Sequence, residues 1–109
     1  MDNKQKSEMV FEILYSAAKR GELLLIDGGM CHWHLRRDGQ LTIHEIISTK
    51  YGAGGQILDY LKQVGAKSIF AKCPVDLEAN GWYKKMGFQD EGIETTKAGR
   101  LLNLWRLLL

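Results

Sequence analysis

Glycine divides this chain of 109 residues into short segments, because the sequence holds twelve glycines and a single proline. Glycine ends helices and permits tight turns, so the glycine groups mark places where one element stops and the next begins. No segment approaches the roughly 20 apolar residues needed to cross a bilayer. We therefore expect a loose tail at residues 1–6 and a single layered domain at residues 7–109, outside any membrane.

Hydrophobic periodicity predicts the type of each segment. Three segments place apolar residues at helical spacing and end at glycine, namely 7–20, 57–64 and 79–86. Six segments are short and apolar or alternating, as expected of strands, namely 22–27, 30–36, 41–48, 68–73, 88–95 and 100–108. This order predicts an α/β domain with a mixed sheet, in which strands 41–48 and 68–73 are parallel and joined by a right-handed crossover.

Composition narrows the classes of function. Fifteen basic and thirteen acidic residues leave a formal net charge of +2, which is too small to indicate nucleic-acid binding. Two cysteines cannot form a disulfide framework, and no secretory signal is visible, so we expect a cytoplasmic protein with reduced thiols. His32 and His34 share a strand face beside Cys31, but no third ligand follows at a recognisable spacing, and no metal site is predicted. Cys73 lacks an evident His and acid partner and is not expected to be a nucleophile.

The segment from Ser48 to Gln56 joins an expected strand to an expected helix and contains Gly52, Gly54 and Gly55. Such glycines let the backbone turn sharply and leave N–H groups free at the helix start, where the helix dipole favours an anion such as phosphate. The spacing matches neither the dinucleotide-binding G-x-G-x-x-G pattern nor a P-loop. Taken alone, the turn is better explained as a tight connection without a ligand.

A second segment, Pro74 to Phe88, follows the next expected strand and contains Ala79, an aromatic–Tyr pair and Gly–Phe. Thr49 to Gly54 falls on the pattern Arg/Gln-x-x-Gly-x-Gly/Ala. In order, spacing and strand–helix context, the two segments together resemble the GNAT superfamily of N-acetyltransferases. The resemblance covers roughly residues 23–109, which is most of the chain. It implies a central mixed sheet with helices on both faces and binding of acetyl-CoA, whose acetyl group is transferred directly to a primary amine of an unidentified acceptor.

The resemblance also implies roles for individual residues. Tyr83 falls on the tyrosine that commonly protonates the CoA sulfur, although helical spacing alone would place it in the core. Glu45 is expected to be the base or a substrate contact if the strand alternates regularly, whereas a β-bulge would turn it to solvent. A side chain at Gly54 is expected to block the phosphate. The residues expected to bind the donor are Ile46, Ile47, Ser48, Thr49, Lys50, Tyr51, Gly52, Ala53, Gly54, Gly55, Gln56, Asp76, Asn80 and Tyr83.

Departures from the family pattern leave alternatives open. Thr49 stands where Arg or Gln is usual, and one helix precedes the first strand where the family commonly has a strand and two helices. A non-catalytic CoA-binding or protein-interaction module is therefore the second hypothesis, and a nucleic-acid-associated protein is the third. Asp76 or Asn80 is expected to cap the third helix. The apolar stretch Leu101–Leu109 predicts either a homodimer contact or an internal strand.

Overall fold

The computed structural model describes residues 3–109, with side chains from residue 5 onward. Its elements in chain order are α1 (Asn3–Lys19), β1 (Leu23–Ile26), β2 (Gly29–Leu35), β3 (Gln40–Ser48), α2 (Ala53–Lys62), β4 (Ser68–Pro74), α3 (Ala79–Lys85), β5 (Gln89–Thr95) and β6 (Leu101–Leu108). The predicted order of elements and the α/β class are confirmed. Helix α1 begins at Asn3, within the segment 1–6 that was expected to be a loose tail, and residues 1–2 lie outside the described part.

The six strands form one mixed sheet in the order β1-β2-β3-β4-β6-β5. Only β3 and β4 are parallel, and α2 connects them, as the strand–helix–strand pattern predicts. β6 pairs with β4 on one side and with β5 on the other. The apolar stretch at the end of the chain is therefore an internal strand of the sheet, which is the second of its two expected explanations.

One face of the sheet is apolar and carries both α2 and α3. Residues paired across strands share a face, and Trp33, Ile43, Ala71 and Trp105 are all buried on this one. The same cluster contains Ile57, Leu58 and Leu61 of α2 together with Tyr83 of α3. Burial of each large aliphatic side chain stabilises the fold by about 1.5–3 kcal/mol, so this face holds the two helices in place.

The opposite face of β2 and β3 is polar, and a β-bulge determines which residues it carries. Glu45 pairs with His32 and Ile43 pairs with Trp33, so His44 is the extra residue in β3. Beyond the bulge, Glu45 is exposed and shares the face of His32 rather than that of Ile43. The expectation drawn from regular alternation is therefore wrong, and the β-bulge considered as its alternative is what the structure contains.

Helix α1 contacts the sheet only near the C-terminal end of the helix. Ala17 is buried and Leu14 is half-buried, whereas Val10, Phe11 and Tyr15 are exposed. The rings of Phe11 and Tyr15 stack on each other at 5.8 Å.

In the part of the chain from residue 3 to residue 109, no helix combines the length and the apolar character that a membrane span requires.

Both cysteines are buried in the folded chain. Burial raises the pKa of the Cys31 thiol to about 12, and burial together with the Asp76 carboxylate raises the pKa of Cys73. Because the thiolate is the reactive form, we expect the native protein to react slowly with a disulfide reagent such as Ellman's reagent. In the denatured chain both cysteines should react at once, releasing two equivalents of the reagent's coloured thiol per chain. Rapid reaction of the native protein would contradict this burial.

Candidate functional site

The parallel strands β3 and β4 separate toward their carboxyl-terminal ends, where β3 leads into α2. Their pairing ends at Ile43 and Ala71, although β3 continues to Ser48 and β4 to Pro74. Beyond Ile43, β3 has β2 on one side and no strand on the other. Alternate backbone N–H and C=O groups of β3 therefore point into a gap, where a ligand can bind them.

A cleft of about 570 Å³ opens beside this gap, within the range of about 300–1,000 Å³ typical of small-molecule sites. The end of β3, the glycine turn and α3 form its walls. Its lining residues are Ile46, Ser48, Lys50, Tyr51, Gly52, Gly54, Gly55, Glu78, Ala79, Trp82, Lys85 and Met86. The structure thus brings seven of the predicted donor-binding residues, from Ile46 to Gly55, to one cleft.

Helix α2 begins with free hydrogen-bond donors. Gly52 precedes it with a positive φ of 83°, a conformation that glycine adopts without strain. The Ala53 N–H donates to the Lys50 carbonyl, whereas among the described residues the N–H groups of Gly54 and Gly55 have no acceptor. Two such donors at the positive end of a helix form an anion site that suits phosphate.

The two glycines of this turn differ in what a side chain would meet. A Cβ at Gly54 would lie 3.0 Å from the indole Nε1 of Trp82, so Gly54 is the place where α2 and α3 touch. A Cβ at Gly55 would meet nothing within 4 Å, and Gly55 borders the cleft. A side chain at Gly54 would therefore collide first with Trp82, and Gly55 is the position from which a side chain would enter the cleft.

Thr49 and Lys50 attach the glycine turn to the loop between β1 and β2. The backbone N–H and the Oγ1 of Thr49 both donate to the Gly28 carbonyl, at 2.7 and 3.2 Å. Lys50 Nζ lies 2.6 Å from the Asp27 carboxylate and borders the cleft. Thr49, at the position of the expected Arg or Gln, thus has a structural contact, and Lys50 and Lys85 are the cations at the cleft.

Tyr83 lies in an aromatic cluster next to the cleft. Its ring is 4% exposed, stacks on Trp105 at 6.2 Å and meets Trp82 and Phe88 edge-on, each at 5.1 Å. Burial, and to a lesser extent the neighbouring thiols, raise the pKa of Tyr83 above its ordinary value. The phenol is therefore protonated at neutral pH, as a general acid must be, but Trp82 rather than Tyr83 borders the cleft.

Asn80 fastens α3 to the sheet. Its Nδ2 donates to the carbonyls of Pro74 and Leu77, at 2.7 and 2.8 Å. Its Oδ1 accepts from Asn103 Nδ2 and from Trp105 Nε1, both at 2.9 Å. One side chain therefore joins the end of β4, the start of α3 and the strand β6.

The predicted cap of the third helix is wrong. The residue at the cap position of α3 is Glu78, and its side chain makes no capping hydrogen bond. Asp76 is exposed, with one carboxylate oxygen 4.0 Å from Arg100. Asn80 lies inside the first turn of α3 and bonds as described above. Neither Asp76 nor Asn80 borders the cleft.

Three further residues predicted to bind the donor lie outside the cleft lining. Ile47 pairs with Met30 and is 44% exposed. Ala53 is buried at the start of α2. Gln56 is exposed, and its N–H donates to the Gly52 carbonyl. Their side chains therefore have no contact with the cleft.

The three histidines lie on the sheet face opposite the cleft. The ring centroids of His32 and His44 are 4.8 Å apart, and His34 Nδ1 bonds to the Glu22 carboxylate. Cys31 points to the other face, where it pairs with Ile46. Within residues 3–109, no three His, Cys, Asp or Glu side chains are grouped as a metal ion would require.

No protein-family model matches this chain, and no curated protein matches its sequence. Solved structures do match its fold. A candidate acetyltransferase of the GNAT family from Desulfovibrio desulfuricans superposes with a TM-score of 0.67, over 95% of this chain and 81% of that one, at 12% identity. The chain has the fold of the GNAT acetyltransferases. The resemblance seen in the sequence is thereby confirmed for the fold.

Two matching proteins of the GNAT fold were solved with a ligand. The Bacillus subtilis acetyltransferase in complex with CoA gives a TM-score of 0.62 at 20% identity, over 75% of this chain and 69% of that one. A candidate streptothricin acetyltransferase from Bacillus anthracis, in complex with acetyl coenzyme A, gives a TM-score of 0.65 at 18% identity over 75% of this chain. This chain spans 56% of the length of the Bacillus anthracis protein.

The α3 wall of the cleft is largely absent from the residues predicted to bind the donor. Glu78, Ala79, Trp82, Lys85 and Met86 all border the cleft, and none of them is among those predicted residues. A signal was available. Positions 78, 82, 85 and 86 follow the spacing of one helix face, so a ligand touching one of them touches the others.

Proposed function

We propose that this chain binds acetyl-CoA in the cleft and transfers the acetyl group to an amine of an acceptor. The observation that carries the proposal is the pair of free N–H groups at Gly54 and Gly55, placed where two parallel strands separate. A helix start with free donors suits a diphosphate, and an open gap between strands suits a long, narrow arm leading away from it.

The walls of the cleft fit the parts of acetyl-CoA. The N–H groups of Gly54 and Gly55 would hold the diphosphate, and Lys50 and Lys85 would place cations beside it. The apolar side chains of β3 and α3 suit the pantetheine chain, whose amides can bond to the free backbone groups of β3. Acetyl-CoA supplies an acetyl group activated as a thioester.

Two residues are proposed to act on the reacting groups. Glu45, exposed on the face opposite the cleft, would attract the cationic form of an amine. Tyr83, which burial keeps protonated, would give a proton to the departing sulfur. A free N–H of β3 beyond the bulge would polarise the thioester carbonyl.

Replacement of Tyr83 by Phe tests the acid role. The ring and its aromatic contacts remain, so we expect little change in acetyl-CoA affinity and a loss of stability of no more than about 1 kcal/mol. If the phenol supplies the proton, turnover should fall by about 100-fold. Thiol release measures turnover, and calorimetry measures affinity. Unchanged turnover would remove Tyr83 from the mechanism and leave it as a core residue.

Titration with acetyl-CoA and with free CoA tests the function as a whole. A ligand at 100 times its Kd stabilises the fold by about 2.7 kcal/mol, which a thermal melt resolves. We expect both compounds to raise the melting temperature and acetyl-CoA to release thiol faster in the presence of an accepted amine. A melt that neither compound shifts would refute the proposal.

A non-catalytic CoA-binding module remains the second candidate, because Tyr83 lies in the aromatic cluster rather than at the border of the cleft. A module of this kind should be stabilised by acetyl-CoA and CoA to the same extent as an enzyme. For every amine tested, however, it should release thiol no faster than acetyl-CoA hydrolyses in buffer.

A further inference from the structure

Helix α1 extends beyond the part of the sheet that supports it. It has 17 residues and the following strand β1 has four, so their lengths are about 25 and 13 Å. Positions 10, 14 and 17 share one face of the helix, because they follow the i, i+4, i+7 spacing. Along this face Ala17 is buried, Leu14 is half-buried and Val10 is 56% exposed. The apolar face of α1 therefore continues past the sheet that covers its C-terminal end.

The exposed apolar side chains of this helix form one surface. Five of them are about half or more exposed, and together they are called the α1 surface: Met9, Val10, Phe11, Ile13 and Tyr15. These side chains expose on the order of 500 Å² of apolar surface. An apolar patch of this size on a monomer is often an interaction site.

The area of the α1 surface matches what a stable dimer requires. A specific interface buries about 800 Å² on each partner, and about 60% of that area is apolar. The apolar share is then about 500 Å², which a single helix supplies here. The polar side chains of the same helix would form the rim.

The charges of α1 favour a copy of the same chain over other occupants. The helix carries three lysines and two glutamates, so its net charge is only +1. Lys6, Glu8 and Glu12 have no ion-pair partner among the described residues. A helix with both signs can face its own copy, whereas a helix of one sign repels its copy. A helix that lies on an anionic membrane instead collects Lys and Arg on its polar side, where α1 has Glu8 and Glu12.

We infer that the α1 surface binds a second copy of this chain, forming a homodimer in which two α1 helices meet across a two-fold axis. A two-fold interface uses the same residues of both subunits, so one exposed surface is sufficient to form it. This contact differs from the one expected at residues 101–109, because β6 lies inside the sheet. The inference is independent of the proposed function, since none of the five residues borders the cleft.

Sedimentation velocity tests the dimer directly. At about 100 µM we expect the native protein to sediment with twice the 12.4 kDa mass of the chain, because interfaces of this size have micromolar or tighter affinity. A native protein that stays monomeric at this concentration would overturn the inference.

Ile13→Glu should dissociate this dimer. Ile13 is 52% exposed, so the subunit should keep its fold, which circular dichroism measures. The two-fold axis would bring two new carboxylates into an apolar contact, and we expect the dimer Kd to rise by about 100-fold or more.

Ile93→Glu is the matched control for this variant. Ile93 is 61% exposed on β5, the edge strand at the opposite side of the sheet from β1. This variant should keep the native dimer Kd. A native Kd in Ile13→Glu, with or without a weaker dimer in Ile93→Glu, would place the interface away from α1 and overturn the inference.

Hydrogen exchange locates the interface in the native protein without any substitution. In dilute protein the amides of residues 9–15 should exchange rapidly, because a helix end without packing opens readily. Raising the concentration should slow their exchange by about tenfold or more, while residues 89–95 of β5 keep their rates. If the protein dimerises and the exchange of residues 9–15 does not change with concentration, the inference fails.

The same variants identify a different occupant of α1. Vesicles of phosphatidylcholine and phosphatidylglycerol in equal parts test a lipid surface, and we expect the native protein to stay in the supernatant when they are pelleted. Pelleting of a monomeric native protein, lost in Ile13→Glu, would assign the α1 surface to a membrane. A native protein that neither dimerises nor pellets would leave this surface to a different protein. Either result would overturn the homodimer.

Discussion

Gly55→Val is expected to weaken acetyl-CoA binding by about 100-fold while the protein stays folded. The new side chain meets nothing within 4 Å in the protein and lies at the border of the cleft, beside the free N–H groups that would hold the diphosphate. A hydrogen bond to a charged group contributes about 1.5–3 kcal/mol, and 100-fold in Kd corresponds to about 2.7 kcal/mol. Calorimetry measures the Kd, and denaturant unfolding measures stability.

The chain offers a matched control for this substitution. Gly81→Val introduces the same side chain into α3, where a Cβ also meets nothing within 4 Å and the residue does not border the cleft. Its acetyl-CoA affinity should equal that of the native protein. If Gly55→Val also binds acetyl-CoA with the native affinity, then the start of α2 holds no phosphate.

Gly54→Val should also bind acetyl-CoA more weakly, but because it disturbs the packing of the two helices. A Cβ 3.0 Å from the Trp82 indole forces α3 away from α2, and overpacking of this kind costs about 1–3 kcal/mol. We therefore expect a lower unfolding midpoint for Gly54→Val, together with weaker binding, because Trp82 forms part of the cleft wall. Comparison with Gly55→Val separates the packing of the two helices from contact with the ligand.

Asn80→Ala is expected to cost about 3 kcal/mol of stability. The substitution removes four hydrogen bonds and leaves the Trp105 indole N–H and the Asn103 amide without their partner. A typical hydrogen bond contributes about 0.5–1.5 kcal/mol, and a buried polar group left unpaired costs about 1–3 kcal/mol. Denaturant unfolding measures the loss, and acetyl-CoA affinity should fall with it because α3 carries one wall of the cleft.

Two companion variants show which contacts carry this effect. Asn103→Ala removes one of the four bonds and should cost about 1 kcal/mol. Asn80→Asp keeps the acceptor for Trp105 but replaces the amide that donates to Pro74 and Leu77 with a carboxylate oxygen facing their carbonyls. It should therefore also be destabilised. A loss below about 0.5 kcal/mol in Asn80→Ala would contradict the role of Asn80 as the link between α3 and the sheet.

The order of the elements was predictable because its signals are local. Hydrophobic spacing within a segment and glycine at its end identify a helix such as 57–64, or a strand such as 68–73, without reference to the rest of the chain. The parallel pairing of β3 and β4 follows from the helix between them. The motifs around Gly54 and Tyr83 then indicated the GNAT fold, which the comparison of structures confirms.

The parts of the site that failed prediction depend on contacts between distant segments. The register between β2 and β3 decides that His44 is a bulge and that Glu45 lies on the polar face. In the same way, the approach of α3 to α2 decides that Gly54 touches Trp82.

The residue pattern within each segment specifies which segments become helices and strands, and that a glycine turn follows the third strand. What each side chain of the site contacts depends instead on how distant segments pack together. Asn80 resembled a helix cap in its own segment, yet its acceptors lie at Pro74 and Leu77 and its donors on β6. Periodicity reports which face of an element is apolar, whereas packing of the whole chain selects the partner that meets each face.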